Sequence, residues 1–436
     1  MKKVLIIAYY FPPSGGPGVQ RVLKHVQYLT DFGWQPIVLT VSNGDFPARD
    51  ESLMKKIPAG TIVERTHIYE PYDLYRALTG KKAGTPIDVN VLKKDGQKSG
   101  FKDRVAEFIR ATLFIPDARV GWLLTAVKRG EELIKEHGID AIYSSSPPYT
   151  CSLIGRALKR RTGLPWVAGL RDPWTEFLTT PKRWFLPAAI DRALEKSVFK
   201  EADAVECAWE GIITDALRKY PDLDAKKFHH VPNGFDSSDF PKLEAFKNDK
   251  FTITYTGSLY GRRNPASFFK ALEMLIERGV FKSDEFHLRF VGRFGAEIEE
   301  MFDKAIFKNS IEIIKYVPHE ESIRQLFKSD ALLLIVDEAK ESEEIVPGKV
   351  YEYIGVKRPV IAVAPQNSAI ARLLKETGSG KVAEQSEIEK CAAIIEEYFK
   401  NWKSGVEFMP DENMIVKYER RESARVLANL LNVRSF

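Results

Sequence analysis

The chain has 436 residues, 44% of them apolar and 29% charged, with a formal net charge of +5. That length accommodates two or three domains with cores of their own, and the composition is that of an ordinary globular protein. So small a charge permits an acidic ligand or an anionic lipid surface but does not call for nucleic acid.

The chain opens Met1-Lys2-Lys3-Val4-Leu5-Ile6-Ile7-Ala8-Tyr9-Tyr10-Phe11. Pro12 and Pro13 end this apolar run early and no small-residue cleavage site follows, so Val4–Phe11 reads as a buried strand rather than a signal peptide. Directly after it, Gly15, Gly16 and Gly18 let a backbone approach a ligand closely at a helix N-terminus. Arg21 stands where a dinucleotide fingerprint would carry its third glycine, which disfavours hydride transfer. Val19, Val22, Leu23, Val26 and Leu29 recur at helical spacing, and Pro36–Val41 is the next strand. Gly80–Lys102 has the composition of an insertion or mobile loop.

Further strands are expected at Ala141–Ser144, Trp166–Leu170 and Ala204–Ala208. A second series follows at Phe251–Thr256, Leu288–Val291, Ile311–Val317, Ala331–Val336 and Val360–Ala364, with helical patterns between. Continuous apolar strands alternating with helices predict an α/β protein with parallel sheets covered on both faces, here as two doubly wound, Rossmann-like domains. Their junction is expected within Val231–Lys250.

The densest signal is Glu344-Ile345-Val346-Pro347-Gly348-Lys349-Val350-Tyr351-Glu352. Pro347 and Gly348 suit a helix entry, whose first N–H groups lack intrahelical partners and form a positive end. Such an end holds a phosphate, with Lys349 as an added point charge. Glu344 then precedes the phosphate site and Glu352 sits a turn inside the helix, an arrangement that suits the sugar and the ribose of a nucleotide-sugar.

This segment resembles the E-x7-E motif of retaining glycosyltransferases of the GT-B fold, specifically glycosyltransferase family 4. Pro359-Val360-Ile361-Ala362 resembles the strand that follows it there, and Pro232-Asn233-Gly234 the start of the family's donor domain. The resemblance implies two domains facing a central cleft, residues 1–235 and 236–413, with a terminal helix, Met414–Leu431 within 414–436, returning to the first. It places Gly15, Gly16 and Gly18 on the cleft near donor sugar and acceptor. Gly257-Ser258-Leu259-Tyr260-Gly261-Arg262-Arg263 matches the family's diphosphate clamp, with Ser258 in place of its Arg, Arg263 in place of its Lys, and Arg262 available as a second charge. Val291-Gly292-Arg293 resembles a family strand end, with Arg293 facing base or phosphate or simply exposed, and Tyr316 and Val317 fall where the nucleobase is read. The family's His-Asp pair becomes Arg171-Asp172; an arginine is no base, but it holds phosphate, an acidic acceptor or the Asp172 carboxylate. Glu344, Asp172 and Arg171 are thus the catalytic candidates. Pro347, Gly348, Lys349 and Glu352 join the donor site.

No metal or other cofactor is expected. The seven histidines lack ligand spacing, and Asp222-Leu223-Asp224 lies in a polar loop rather than at a strand end. Cys151, Cys207 and Cys391 are an odd, scattered set that argues for a reducing, cytoplasmic setting. No run reaches the ~20 apolar residues of a membrane span. Peripheral contact with an inner leaflet is nonetheless suggested by Phe101, Val105, Phe108 and Ile109 on one helical face and by the basic-aromatic loop Lys182–Leu186, though both patterns also fit packing within the protein. The expected reaction moves a sugar from a nucleotide-sugar to a hydroxyl of a cell-surface glycan or lipid-linked acceptor. The alternatives are a nucleotide-sugar epimerase of the same architecture and a non-catalytic scaffold.

Overall fold

The computed structural model of the protein describes residues 1–69, 108, 111–112, 114–177, 180–241, 247–261, 263–315, 317–336 and 346–432. Two compact units share the chain: Met1–Asn233 with Arg420–Phe436, and Gly234–Glu419.

The first unit contains β1 (Lys2–Ala8), β2 (Trp34–Val41), β3 (Ile62–Thr66), β4 (Ala141–Ser146), β5 (Trp166–Leu170), β6 (Ala204–Cys207) and β7 (Phe228–His230). They form one parallel sheet in the order β3-β2-β1-β4-β5-β6-β7. Alternation along β1 shows how two faces are filled. Leu5 and Ile7 enter a core with Trp122, Ile154 and Trp166. Val4, Ile6 and Ala8 enter the opposite one with Val19, Val22, Val26 and Leu427. Each such aliphatic side chain contributes ~1.5–3 kcal/mol when fully buried. The Val19–Leu29 stripe is therefore the inner face of helix Pro17–Tyr28 and the turn after it.

The second unit contains β8 (Phe251–Thr256), β9 (Phe286–Val291), β10 (Ile311–Ile314), β11 (Ala331–Ile335), β12 (Val360–Val363) and β13 (Gly380–Ala383), in the order β10-β9-β8-β11-β12-β13, again all parallel. One face carries an aromatic core in which Phe269, Phe290, Phe302 and Phe307 meet edge-on or tilted. The other packs Leu332, Leu334 and Ala362 against Tyr353 and Ile354 of helix Gly348–Val356. In each unit the connections reverse direction between two central strands, β1 and β4 or β8 and β11. Ligands bind beyond the carboxyl ends of strands at such switch points.

Several expectations change. The first strand closes at Ala8 rather than Phe11, because the Ser14 N–H already turns back to the Phe11 carbonyl ahead of the glycine loop. The strand expected over Ile311–Val317 ends at Ile314; it is an edge strand, paired on one side only. The terminal helix is not continuous. A short helix, Glu412–Ile415, and a tight turn, Val416–Tyr418, end at Glu419, whose backbone is extended, before helix Arg420–Leu430 begins. Leu427 and Leu431 of that last segment fill the core beside helix Pro17–Tyr28. Gly234 has to be glycine, since a Cβ there would lie 2.0 Å from the Tyr418 carbonyl oxygen. In the Lys182–Leu186 segment, Phe185 opens helix Phe185–Glu201 and Arg183 is buried against Asp191 at 2.8 Å. Arg183 is thus no lipid-facing cation. The insertion expected over Gly80–Lys102 lies outside the described residues, as do Phe101, Val105 and Ile109 of the suggested apolar face.

Candidate functional site

In the second unit the carboxyl ends of β8 and β9 are locked side by side. The Gly257 N–H donates to the Val291 carbonyl at 2.9 Å, Leu259 to Arg293 at 3.1 Å, and Gly295 to Leu259 at 3.0 Å. Gly292, with φ 148°, permits this approach: a Cβ there would meet the Gly257 oxygen at 1.9 Å. Gly257 itself has φ 121°, a backbone that suits glycine. Ser258 is half-buried, and its carbonyl accepts from the Tyr255 hydroxyl at 3.2 Å. Arg263 bridges back to Tyr260 and lies 5.9 Å from its ring centre. Arg293 is exposed on the neighbouring loop.

Helix Gly348–Val356 starts at this edge, with Pro347 as its cap and Gly348 exposed as its first residue. The Tyr353 hydroxyl accepts from the Thr256 N–H at 2.9 Å and so pins the helix to the end of β8. Lys349 donates from Nζ to the Tyr255 hydroxyl at 3.0 Å and to the Thr256 carbonyl at 3.2 Å, and lies 4.2 Å from the Tyr255 ring centre. Among the described residues it makes no ion pair. Burial, and then the Arg263 charge, pull its pKa down to about 7 against an opposing pull from Glu352. One turn on, Glu352 Oε1 lies 2.7 Å from His319 Nε2. Val317 is half-buried just ahead of His319. The structure thus brings Gly257, Ser258, Arg263 and Lys349 to one edge of the sheet. Glu344, Arg262 and Tyr316 lie outside the described residues.

In the first unit, Arg171 follows β5. Its guanidinium donates to Ser145 Oγ at 2.5 Å and to the Pro147 carbonyl. A Cβ on Gly18 would meet that guanidinium at 3.6 Å, so the glycine loop and Arg171 adjoin. Asp172 takes no hydrogen bond on its carboxylate from a described residue. Burial raises its pKa, and Arg171 opposes the rise. Gly15 donates from its N–H to the Ala48 carbonyl at 2.9 Å, and Gly16 is exposed with φ 92°.

Sequence reasoning missed what holds these residues. Asp191 accepts from Trp174 Nε1 at 2.9 Å, and Glu195 accepts from Thr175 Oγ1 at 2.6 Å. These two buried carboxylates, a turn apart on helix Phe185–Glu201, clamp the loop that carries Arg171 and Asp172. It also missed the buried group in which Glu206 accepts from Arg21 at 2.6 Å and from Tyr143 at 2.5 Å. Arg21 there also donates to the carbonyls of Val231 and Pro232. The available signal was Arg21 and His25 set a turn apart among the apolar positions of the first helix. Asp222 pairs with Lys196 at 2.8 Å and Lys200 at 3.0 Å, and Asp224 caps the turn Ala225–Lys227. Among the described residues no group of three or more His, Cys, Asp or Glu side chains is placed to hold a metal.

Residues 18–239 match Glycosyltransferase Family 4, and residues 236–420 match Glycosyl transferases group 1. The chain belongs to glycosyltransferase family 4, and it is a glycosyltransferase with the doubly wound pair of units of the GT-B fold. Similar solved structures include TarM of S. aureus in complex with Fondaparinux, alpha-GlcNAc-glycerol and UDP, at 11% identity and TM-score 0.57, covering 99% of this chain and all of that one (100%). The lipopolysaccharide outer core galactosyltransferase WaaB is similar at 11% identity and TM-score 0.56, covering 99% of each chain. Sucrose-phosphate synthase from Thermosynechococcus elongatus is similar at 11% identity and TM-score 0.53, covering 99% of this chain and 98% of that one. No curated protein matches the chain by sequence.

Proposed function

We propose that the protein transfers a sugar, with retention, from a nucleotide-sugar to a hydroxyl of a cell-surface glycan or lipid-linked acceptor. The observation that carries the donor half is Lys349: a desolvated ammonium whose hydrogen-bond partners are a phenol and a carbonyl, with Arg263 as a second cation nearby. Cations brought together without a bonded carboxylate among the described residues are stable in company with an anion, and the adjoining helix N-terminus favours the same charge. A diphosphate meets that need. TarM, of similar fold, was solved with UDP.

In this reading Arg263, Lys349 and the first N–H groups of helix Gly348–Val356 hold the diphosphate. Ser258 and Gly257 line its approach, Arg293 and Val317 lie toward the base, and Glu352 accepts a ribose hydroxyl. The bond from the anomeric carbon to the diphosphate oxygen breaks, the acceptor oxygen bonds to that carbon on the same face, and the acceptor proton passes to the leaving phosphate. Arg263 and Lys349 meet the charge that develops on the leaving group, which makes turnover independent of a metal ion. Asp172, with its raised pKa, and Arg171 attend the acceptor from the first unit together with Gly15, Gly16 and Gly18.

A cytoplasmic setting is supported by three buried, unpaired cysteines. No helix among the described residues is long and apolar enough to cross a membrane. Peripheral lipid contact is supported by the exposed Trp184, Phe185, Leu186 and Ile190 at the start of one helix. A panel of nucleotide-sugars, assayed for nucleotide release with and without acceptor extract, tests the proposal. Acceptor-dependent release with one donor supports transfer. Donor conversion without acceptor indicates an epimerase, and inertness with every donor a scaffold.

A further inference from the structure

The contact between Glu352 and His319 joins two elements that sequence reading left separate. Glu352 lies on helix Gly348–Val356, and His319 opens helix His319–Phe327 just beyond β10. Their side chains meet at 2.7 Å, Nε2 to Oε1. Glu352 is 27% exposed and His319 65% exposed, so the pair stands at the surface with the carboxylate on its inner side. The other oxygen, Oε2, accepts no hydrogen bond from a described residue. A carboxylate with one oxygen fixed and the other open is oriented rather than free to rotate. Lys349, three residues before Glu352, puts the phosphate at this helix end in the donor reading above.

We propose that His319 is a positioning residue for the ribose of the donor nucleotide. This rests on the donor reading above. Nε2–H of His319 donates to Oε1 of Glu352 and turns Oε2 toward a ribose hydroxyl. The imidazole acts through the carboxylate, and its contribution is seen only with ligands that offer that hydroxyl. Preorganisation of this kind lowers the ordering cost of binding without adding a direct contact to the ligand.

The test compares a nucleoside diphosphate with its 2′,3′-dideoxy analogue by calorimetry, using the base that the wild-type protein binds best. Wild type should prefer the ribose form. His319→Ala should lower affinity for the ribose form by about three- to tenfold, the scale of one net hydrogen bond, and leave the dideoxy form unchanged. His319→Gln, which keeps a donor, should recover part of the preference. In a Glu352→Gln background His319→Ala should add nothing. Equal weakening of both ligands by His319→Ala, or no effect on either, overturns the role given to His319 while Glu352 stands. A ribose preference that survives Glu352→Gln removes the ribose role of Glu352 itself, and this inference with it.

Discussion

Lys349 places its ammonium 4.2 Å from the centre of the Tyr255 ring and within 3.0 Å of that ring's hydroxyl. The tyrosine is the next-to-last residue of β8, and the lysine lies in the first turn of helix Gly348–Val356. Between them they hold a cation at the edge of the sheet where ligands of doubly wound folds bind. A cation–π contact of this kind contributes ~0.5–2 kcal/mol, less than desolvation of an ammonium costs. Even with its two hydrogen bonds the ammonium is less favourable here than in water, since burial draws its pKa down to about 7.

Lys349→Met should keep the packing against Tyr255 and remove the desolvated charge. The unfolding free energy from a denaturant titration should be unchanged, or higher by about 1 kcal/mol. An unfolding free energy that falls by a similar amount would mean that the lysine stabilises the fold on its own and has no need of an anion.

Nucleotide binding should depend on pH through the same residue. With its pKa drawn down to about 7 by burial and by Arg263, Lys349 is half neutral near neutral pH. A bound diphosphate favours the ammonium, so binding takes up a proton. Affinity should be full below pH 7 and weaken progressively from pH 7 to pH 9, approaching tenfold per unit. Lys349→Arg, charged throughout, should flatten that slope. Calorimetry in buffers of different ionisation enthalpy reads the proton directly, and zero uptake at pH 8 would contradict the assignment.

A substitution in the glycine loop should separate turnover from nucleotide binding. Gly16 has φ 92° and ψ 172°, a region essentially reserved for glycine. Gly16→Val should cost ~1–3 kcal/mol of stability and cut the transfer rate strongly. Binding of the nucleoside diphosphate by the second unit should stay nearly intact. Nucleotide affinity and transfer rate measured on one folded preparation decide it, and a wild-type rate would reduce the loop to a turn.

The buried pair Arg21 and Glu206 offers a stability test away from the chemistry. Burial works to raise the Glu206 pKa, but the Arg21 charge, with His25 and Tyr143, leaves it below the usual carboxylate range. A depressed acid stabilises the fold above its unfolded value, ~4.3, and that stability fades as pH falls through the folded value. Glu206→Gln should strand the Arg21 charge and cost about 3–5 kcal/mol. Arg21→Met added to it should recover part of that loss, as a denaturation cycle would show.

Legibility in the sequence followed burial. Strands with two neighbours, such as Trp166–Leu170 and Phe251–Thr256, are continuous apolar runs and were placed to the residue. The edge strands Ile62–Thr66, Phe228–His230 and Gly380–Ala383 were missed, because a strand open on one side keeps Glu64, Arg65, His229 or Lys381 and loses the pattern. The same holds for the candidate site. Gly257, Arg263 and Lys349 were readable because they sit in short motifs at predictable ends of elements. Tyr255, His319, Asp191 and Glu195 were not, since each acts on a residue distant in sequence and looks locally like an ordinary strand, loop or helix position.

Everything proposed for the donor rests on the second unit holding a nucleoside diphosphate through Lys349 and Arg263. The direct measurement is calorimetric titration of uridine, guanosine and adenosine diphosphates into the protein and into Lys349→Met. At least one of them should bind the wild-type protein, and Lys349→Met should weaken it by about 10- to 100-fold, the scale of a hydrogen bond to a charged group. Wild-type protein that binds none of the three, or a variant that binds as tightly as wild type, would contradict it.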